Sequence, residues 1–180
     1  MKKVLVLPGW MTSLRLYQNN ISDFSVDIGQ LSERSRSADY VIGMSMGALI
    51  TLDDAPNIQG KIILVNPPLP RRGLARWFVQ WVKYMIFEFL FLERQKLTLN
   101  PIKYLRGLSR GAKLLRKDFS GTLDGLPKGK VVVVCGKDDD FFCDKLAVDF
   151  LRGKGIEVIK ADGGHNWSED IERTIDGLTV

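Results

Sequence analysis

Histidine is nearly absent from this sequence: one residue, His165, in 180. Any chemistry that needs an imidazole base therefore has one candidate. Cysteine is almost as scarce. Cys135 and Cys143 are the only two, weak grounds for a disulfide framework in a chain of this size, so a reduced, cytoplasmic setting is the expectation. No long uninterrupted apolar run occurs. The longest, Trp77 to Leu92, is broken by Gln80, Lys83 and Glu88 and falls short of a membrane span. The apolar N-terminal run stops at Leu7, too short for a signal peptide, and reads as a first buried strand. Internal repeats and low-complexity tracts are missing too, which excludes solenoids and disordered tails.

What remains is ordinary globular composition, 45% hydrophobic and 26% charged, enough for one domain with one core. The net charge of +5 is unevenly placed. Residues 71–117 hold 12 Lys/Arg against two acids, a net of +10, while the rest carries 14 against 19, a net of −5.

Short β-branched or aliphatic runs ending in turn residues alternate with longer helical patterns, as in a parallel sheet covered on both faces. Strands are expected near 3–7, 25–28, 39–43, 61–65, 130–135 and 156–160, and helices near 12–20, 46–54, 144–153 and 168–177. The last helix is signed by Ser168 as N-cap, with Glu169 and Asp170 in the first turn. Between Pro67 and Pro127 the alternation stops for about 60 residues, too long for a structureless loop. Two helical patterns lie there, 74–96 and 101–117, the second opened by Asn100-Pro101. The expected organisation is a core of residues 1–66 and 127–180 carrying residues 67–126 as a helical lid.

Gly43-Met44-Ser45-Met46-Gly47 matches G-x-S-x-G, in which a strand turns sharply into a helix and a Cβ at either glycine would crowd the turn. Ser45 projects from its tip. A serine hydroxyl needs a base, and His165 follows the last expected strand in Gly163-Gly164-His165. Gly136-Lys137-Asp138-Asp139-Asp140 closes the strand before it and offers three carboxylates to orient the imidazole.

G-x-S-x-G, then a strand ending in G-x-x-D, then one ending in G-H, resembles the α/β-hydrolase superfamily, whose chain order is nucleophile, acid, histidine. Aligning Gly136 with the family glycine puts the acid at Asp139, with Asp138 the alternative. Leu7-Pro8-Gly9-Trp10 resembles the family's loop after the first strand. The resemblance implies an oxyanion hole of backbone N–H groups from Trp10 or Met11 and from Met46. The implied fold is a shortened α/β-hydrolase, a six-stranded parallel sheet flanked by helices with a lid. The core is similar to small hydrolases of the YdeN kind, and the insertion to acyl-carrier-protein methyl ester esterases. The implied activity is hydrolysis of an ester or thioester through Ser45, His165 and Asp139, without metal or cofactor. Acyl transfer by the same triad, or a non-catalytic interaction module, are the alternatives.

In the insertion, Trp77, Trp81 and Met85 belong to a helix apolar on most sides, which packs on its neighbours, lines an acyl channel or makes a membrane or dimer contact. Lys103, Arg106, Arg110, Lys113 and Lys117 share one face of the next helix. Such a stripe is either a solvated face or, through Arg106, Arg110 and Lys113, a site for an acidic carrier protein, an anionic lipid surface or an anionic substrate. Nucleic acid is not expected, because the basic face lacks interleaved aromatics and no recognised binding motif is present.

Overall fold

The computed structural model describes residues 2–9, 12–14, 21–23, 35–87, 95–97 and 111–179. The strands β1 (Val4–Leu7), β4 (Tyr40–Met44), β5 (Lys61–Val65), β7 (Val131–Gly136) and β8 (Glu157–Ala161) form the body of a parallel sheet. A three-residue strand, β3 (Ile21–Asp23), pairs parallel with β1 at one edge, giving the order β3-β1-β4-β5-β7-β8.

Alternation within each strand sends side chains to two separate cores. Leu5, Leu7, Val41, Ile62, Leu64, Val131 and Val133 face a layer that includes Leu49 and Leu52 of α1 (Met46–Asp54), Leu123 of α3 (Ser120–Asp124) and Leu151 of α4 (Lys145–Gly153). Val6, Ile42, Met44, Ile63, Val65 and Val134 face Trp167 and Ile171 and Ile175 of α5 (Glu169–Thr179). Burying both faces explains why these strands read as continuous aliphatic runs; each large side chain so buried contributes about 1.5–3 kcal/mol. Asp144 caps α4 by accepting from the Ala147 amide at 3.1 Å, and Ser168 caps α5 by accepting from the Ile171 amide at 3.2 Å.

Several expectations need correction. Of the helix expected over 74–96, α2 (Leu74–Phe87) is the described part and residues 88–94 lie outside the described residues, but Gln95–Leu97 is instead a strand, β6. It pairs antiparallel with β2 (Thr12–Leu14), where a helix over 12–20 was expected. Each of these strands exists through a partner far away in sequence, which local periodicity does not register. The edge strand lies at Ile21–Asp23; residues 25–28, where it was expected, are outside the described residues. Of the helix expected over 101–117, residues 111–116 are helical and 101–110 lie outside the described residues. Cys135 and Cys143, a pair that gave only weak grounds for a disulfide framework, are joined in a disulfide with Cα atoms 6.0 Å apart. Among the described residues no helix is long and apolar enough to cross a membrane.

Candidate active site

The turn at Ser45 fits glycines on both sides and nothing larger. A Cβ on Gly43 would lie 2.4 Å from the Thr51 hydroxyl, and one on Gly47 would lie 2.2 Å from the Leu7 carbonyl. Ser45 itself sits at φ 50°, ψ −116°, a region most L residues avoid. Its amide donates to the Val65 carbonyl at 2.8 Å, which fixes the turn to β5. Ser45 precedes α1, yet its hydroxyl makes no capping bond to that helix. It meets His165 instead.

His165 Nε2 lies 2.9 Å from Ser45 Oγ, and its Nδ1 lies 2.7 Å from Asp139 Oδ2. A carboxylate only accepts, so Nδ1–H donates to Asp139 and Nε2 is left to accept from the serine hydroxyl. The imidazole is buried against aromatic neighbours, Phe142 at 4.6 Å and Tyr84 at 5.1 Å between ring centroids. Of the three adjacent aspartates, Asp139 is 1% exposed, whereas Asp138 and Asp140 are both exposed. Asp139 also accepts from the amides of Phe141 and Phe142 at 3.0 Å and of Cys143 at 3.1 Å. Burial alone would raise its carboxyl; the His165 charge and hydrogen bond and the Phe142 and Phe141 amides outweigh that and hold it below the ordinary carboxylate value.

Asn66, directly after β5, was not singled out by sequence reasoning. It has a positive φ of 47°, which asparagine tolerates better than most residues, and it is fully buried. Its Nδ2 donates to the carbonyls of Gly164 at 3.1 Å and His165 at 2.8 Å, and its Oδ1 accepts from the Gly136 amide at 2.7 Å. The loop with the histidine and the strand leading to Asp139 are thereby fixed to one side chain. An asparagine at a strand's carboxyl end was the available signal.

The other expected site residues are placed unevenly. Met46 opens α1, so its amide is among the N-terminal N–H groups that have no intrahelical acceptor. Trp10, Met11, Arg106 and Arg110 lie outside the described residues. On α2, Trp77 packs against the larger core and stacks with Trp81 at 6.2 Å, and Met85 is half-buried. The α2 residue in contact with the histidine is Tyr84, whose hydroxyl also donates to Asn166 Oδ1 at 2.8 Å. Lys113 is exposed on the 111–116 helix, but Lys117 is paired with Asp53 at 2.6 Å. No cluster of three or more His, Cys, Asp or Glu suited to a metal ion occurs among the described residues.

A parallel sheet in this order, with a serine elbow after β4 and the acid and histidine after β7 and β8, is the α/β-hydrolase fold. Solved structures of hydrolases share it along nearly the whole chain. The thioesterase domain from the curacin biosynthetic pathway superposes with a TM-score of 0.62 at 14% identity, covering 98% of this chain and 90% of that one. A structure from work on carboxylesterases of the ammonia-oxidizing Thaumarchaeon Nitrososphaera gargenis gives a TM-score of 0.59 at 14% identity, covering 99% and 90%. A hydrolase from Pseudomonas aeruginosa gives 0.57 at 14% identity, covering 99% and 88%. No protein-family model and no curated protein matches the sequence.

Proposed function

We propose that the protein is a serine hydrolase acting on ester or thioester bonds of acyl substrates. The observation that carries this reading is the continuous line from Ser45 Oγ through His165 to Asp139, at 2.9 and 2.7 Å. His165 takes the hydroxyl proton as Ser45 attacks the acyl carbonyl, and Asp139 steadies the imidazolium that forms. The oxyanion is held by the Met46 amide and by an amide of the loop after Gly9, with Trp10 the assigned donor. The tetrahedral intermediate collapses to an acyl-serine, and His165 gives its proton to the departing alcohol or thiol. Water, deprotonated by His165, then releases the acid and restores Ser45. This chemistry runs on side chains and backbone amides alone.

In the same reading, residues 67–126 cover the site as a lid, and Tyr84 of α2 forms part of the wall beside His165. A fluorophosphonate probe tests the whole proposal. Labelling of wild type that maps to Ser45 and disappears in Ser45→Ala supports it; folded wild type that remains unlabelled and inert toward p-nitrophenyl esters overturns it.

A further inference from the structure

Asp139 is held by amides, so whatever orients those amides orients the carboxylate. Two of them belong to consecutive peptide units. The Phe142 N–H, which donates to Asp139 Oδ1, shares a peptide plane with the Phe141 carbonyl. The Cys143 N–H, which donates to Asp139 Oδ2, shares one with the Phe142 carbonyl. Both carbonyls point the opposite way, as planar trans peptides require. Both accept from a single side chain, Arg72. Its Nη1 donates to the Phe141 carbonyl at 3.3 Å and its Nη2 to the Phe142 carbonyl at 3.0 Å.

The two Nη groups are bound on their other sides as well, while the buried Nε makes no hydrogen bond. The guanidinium pairs with Asp144, the cap of α4, at 2.6 and 3.0 Å, and it donates to the Leu69 carbonyl at 3.3 Å and to Gln80 Oε1 of α2 at 2.9 Å. Its side chain is 3% exposed. A cap for α4 requires only Asp144, and a buried cation requires only a counter-ion. Neither explains why the fork also grips two carbonyls of the loop that carries Asp139. Cation, peptide dipole and carboxylate lie in series through both peptide units, an arrangement in which each hydrogen bond strengthens the next.

We propose that Arg72 is a positioning residue for Asp139: by fixing the peptide units 141–142 and 142–143, it aims their N–H groups at the carboxylate that orients His165. Through Leu69 and Gln80 the same side chain makes that aim depend on how the segment following β5 is seated. The proposal rests on the serine hydrolase reading of the site, and it assigns Arg72 no contact with substrate.

Arg72→Lys is the informative variant. Lysine keeps the charge opposite Asp144, but one ammonium does not reproduce the fork that reaches two carbonyls, a carboxylate and a glutamine together. Because the chain has a single histidine, the low-field proton resonance of His165 Nδ1–H reports the bond to Asp139 without ambiguity and without turnover. In folded Arg72→Lys, that resonance weakens or moves upfield. The kcat on p-nitrophenyl acetate falls by roughly 10- to 100-fold, in the range expected for a catalytic group misplaced by a fraction of an ångström to one ångström. KM changes by less than about twofold, since uniform substrate binding is untouched. A merely structural arginine would lower the melting temperature and leave the resonance and the kcat of the folded protein unchanged, and that result overturns the proposal.

Should Arg72→Lys fail to fold, Arg72→Met with Asp144→Ser removes the ion pair without leaving a buried charge, and serine still caps α4. The same readouts and the same criteria apply to it. Wild type that is unlabelled at Ser45 would sink the hydrolase reading, whereas the resonance comparison would still decide whether Arg72 governs the Asp139–His165 bond.

Discussion

Asn66 donates its side-chain N–H to the main-chain carbonyl of His165 at 2.8 Å, joining residues 99 apart in sequence. With the further bonds to Gly164 and Gly136, one carboxamide spans the loop that carries His165 and the strand that leads to Asp139. Asn66→Ala leaves a buried N–H and two carbonyls without this partner, at about 1–3 kcal/mol for each group stranded. The denaturant midpoint should fall, and kcat should fall with it by at least about tenfold through displacement of His165. Asn66→Gly, which suits the positive φ, should be less destabilised than Asn66→Ala but equally slow. Urea titrations beside ester kinetics check both.

Ser45→Ala and His165→Ala should each abolish hydrolysis of short p-nitrophenyl esters while near-ultraviolet circular dichroism stays native. His165 is the only imidazole in the chain. Near-normal turnover in His165→Ala would therefore end the assignment of His165 as the base.

Asp139→Asn should cost far more activity than Asp138→Asn or Asp140→Asn, because only Asp139 is buried and bonded to His165. The comparable loss in the trypsin triad is about 10⁴. A stability effect accompanies it. Asp139's carboxyl is lowered from its ordinary value of 3.8 in the folded protein, so its contribution is complete above that value and is lost as pH falls below it, through the lowered folded value. Unfolding free energies of wild type and Asp139→Asn between neutral pH and that acid range should converge as the pH drops.

The basic segment yields a kinetic prediction. A net of +10 over residues 71–117 should speed encounter with an acidic carrier of the acyl group. Charge reversal at Arg106, Arg110 and Lys113 should raise KM for a carrier-bound thioester and leave kcat on a small neutral ester unchanged. Salt should mimic the mutations, since exposed charges are screened beyond about 8 Å at physiological ionic strength. Salt-insensitive, identical kcat/KM in wild type and variant would leave the stripe as a solvated face. Lys117 is excluded from the set because Asp53 already holds it.

The parts of the fold that were legible in the sequence are those that local composition determines. Lys61–Val65 is a strand and Met46–Asp54 a helix at the expected bounds, because a doubly buried parallel strand is a plain aliphatic run and G-x-S-x-G marks its own turn. β6 was missed because Gln95-Lys96-Leu97 carries no strand pattern and is ordered by pairing with Thr12–Leu14. Asn66 escaped because an amide neither titrates nor belongs to the motif. Arg72 is, in the sequence, one of the 12 basic residues of 71–117 with nothing to distinguish it; only the fold shows that its cation is buried and spent on Asp144 and the Phe141 and Phe142 carbonyls.

His165 reaches Ser45 across 120 residues of chain, and it does so from the end of β8, the outermost strand on its side of the sheet. Edge strands have one neighbour to hold them, and contacts of such long sequence separation are slow to form. During refolding, hydrolysis should thus return later than the circular dichroism signal of the central sheet, paced by the docking of β8 on β7. In the folded protein, transient fraying at that edge would part His165 from Ser45 while most of the molecule stays intact. Activity is in this sense a more sensitive gauge of local order at the sheet's rim than any bulk spectroscopic measure.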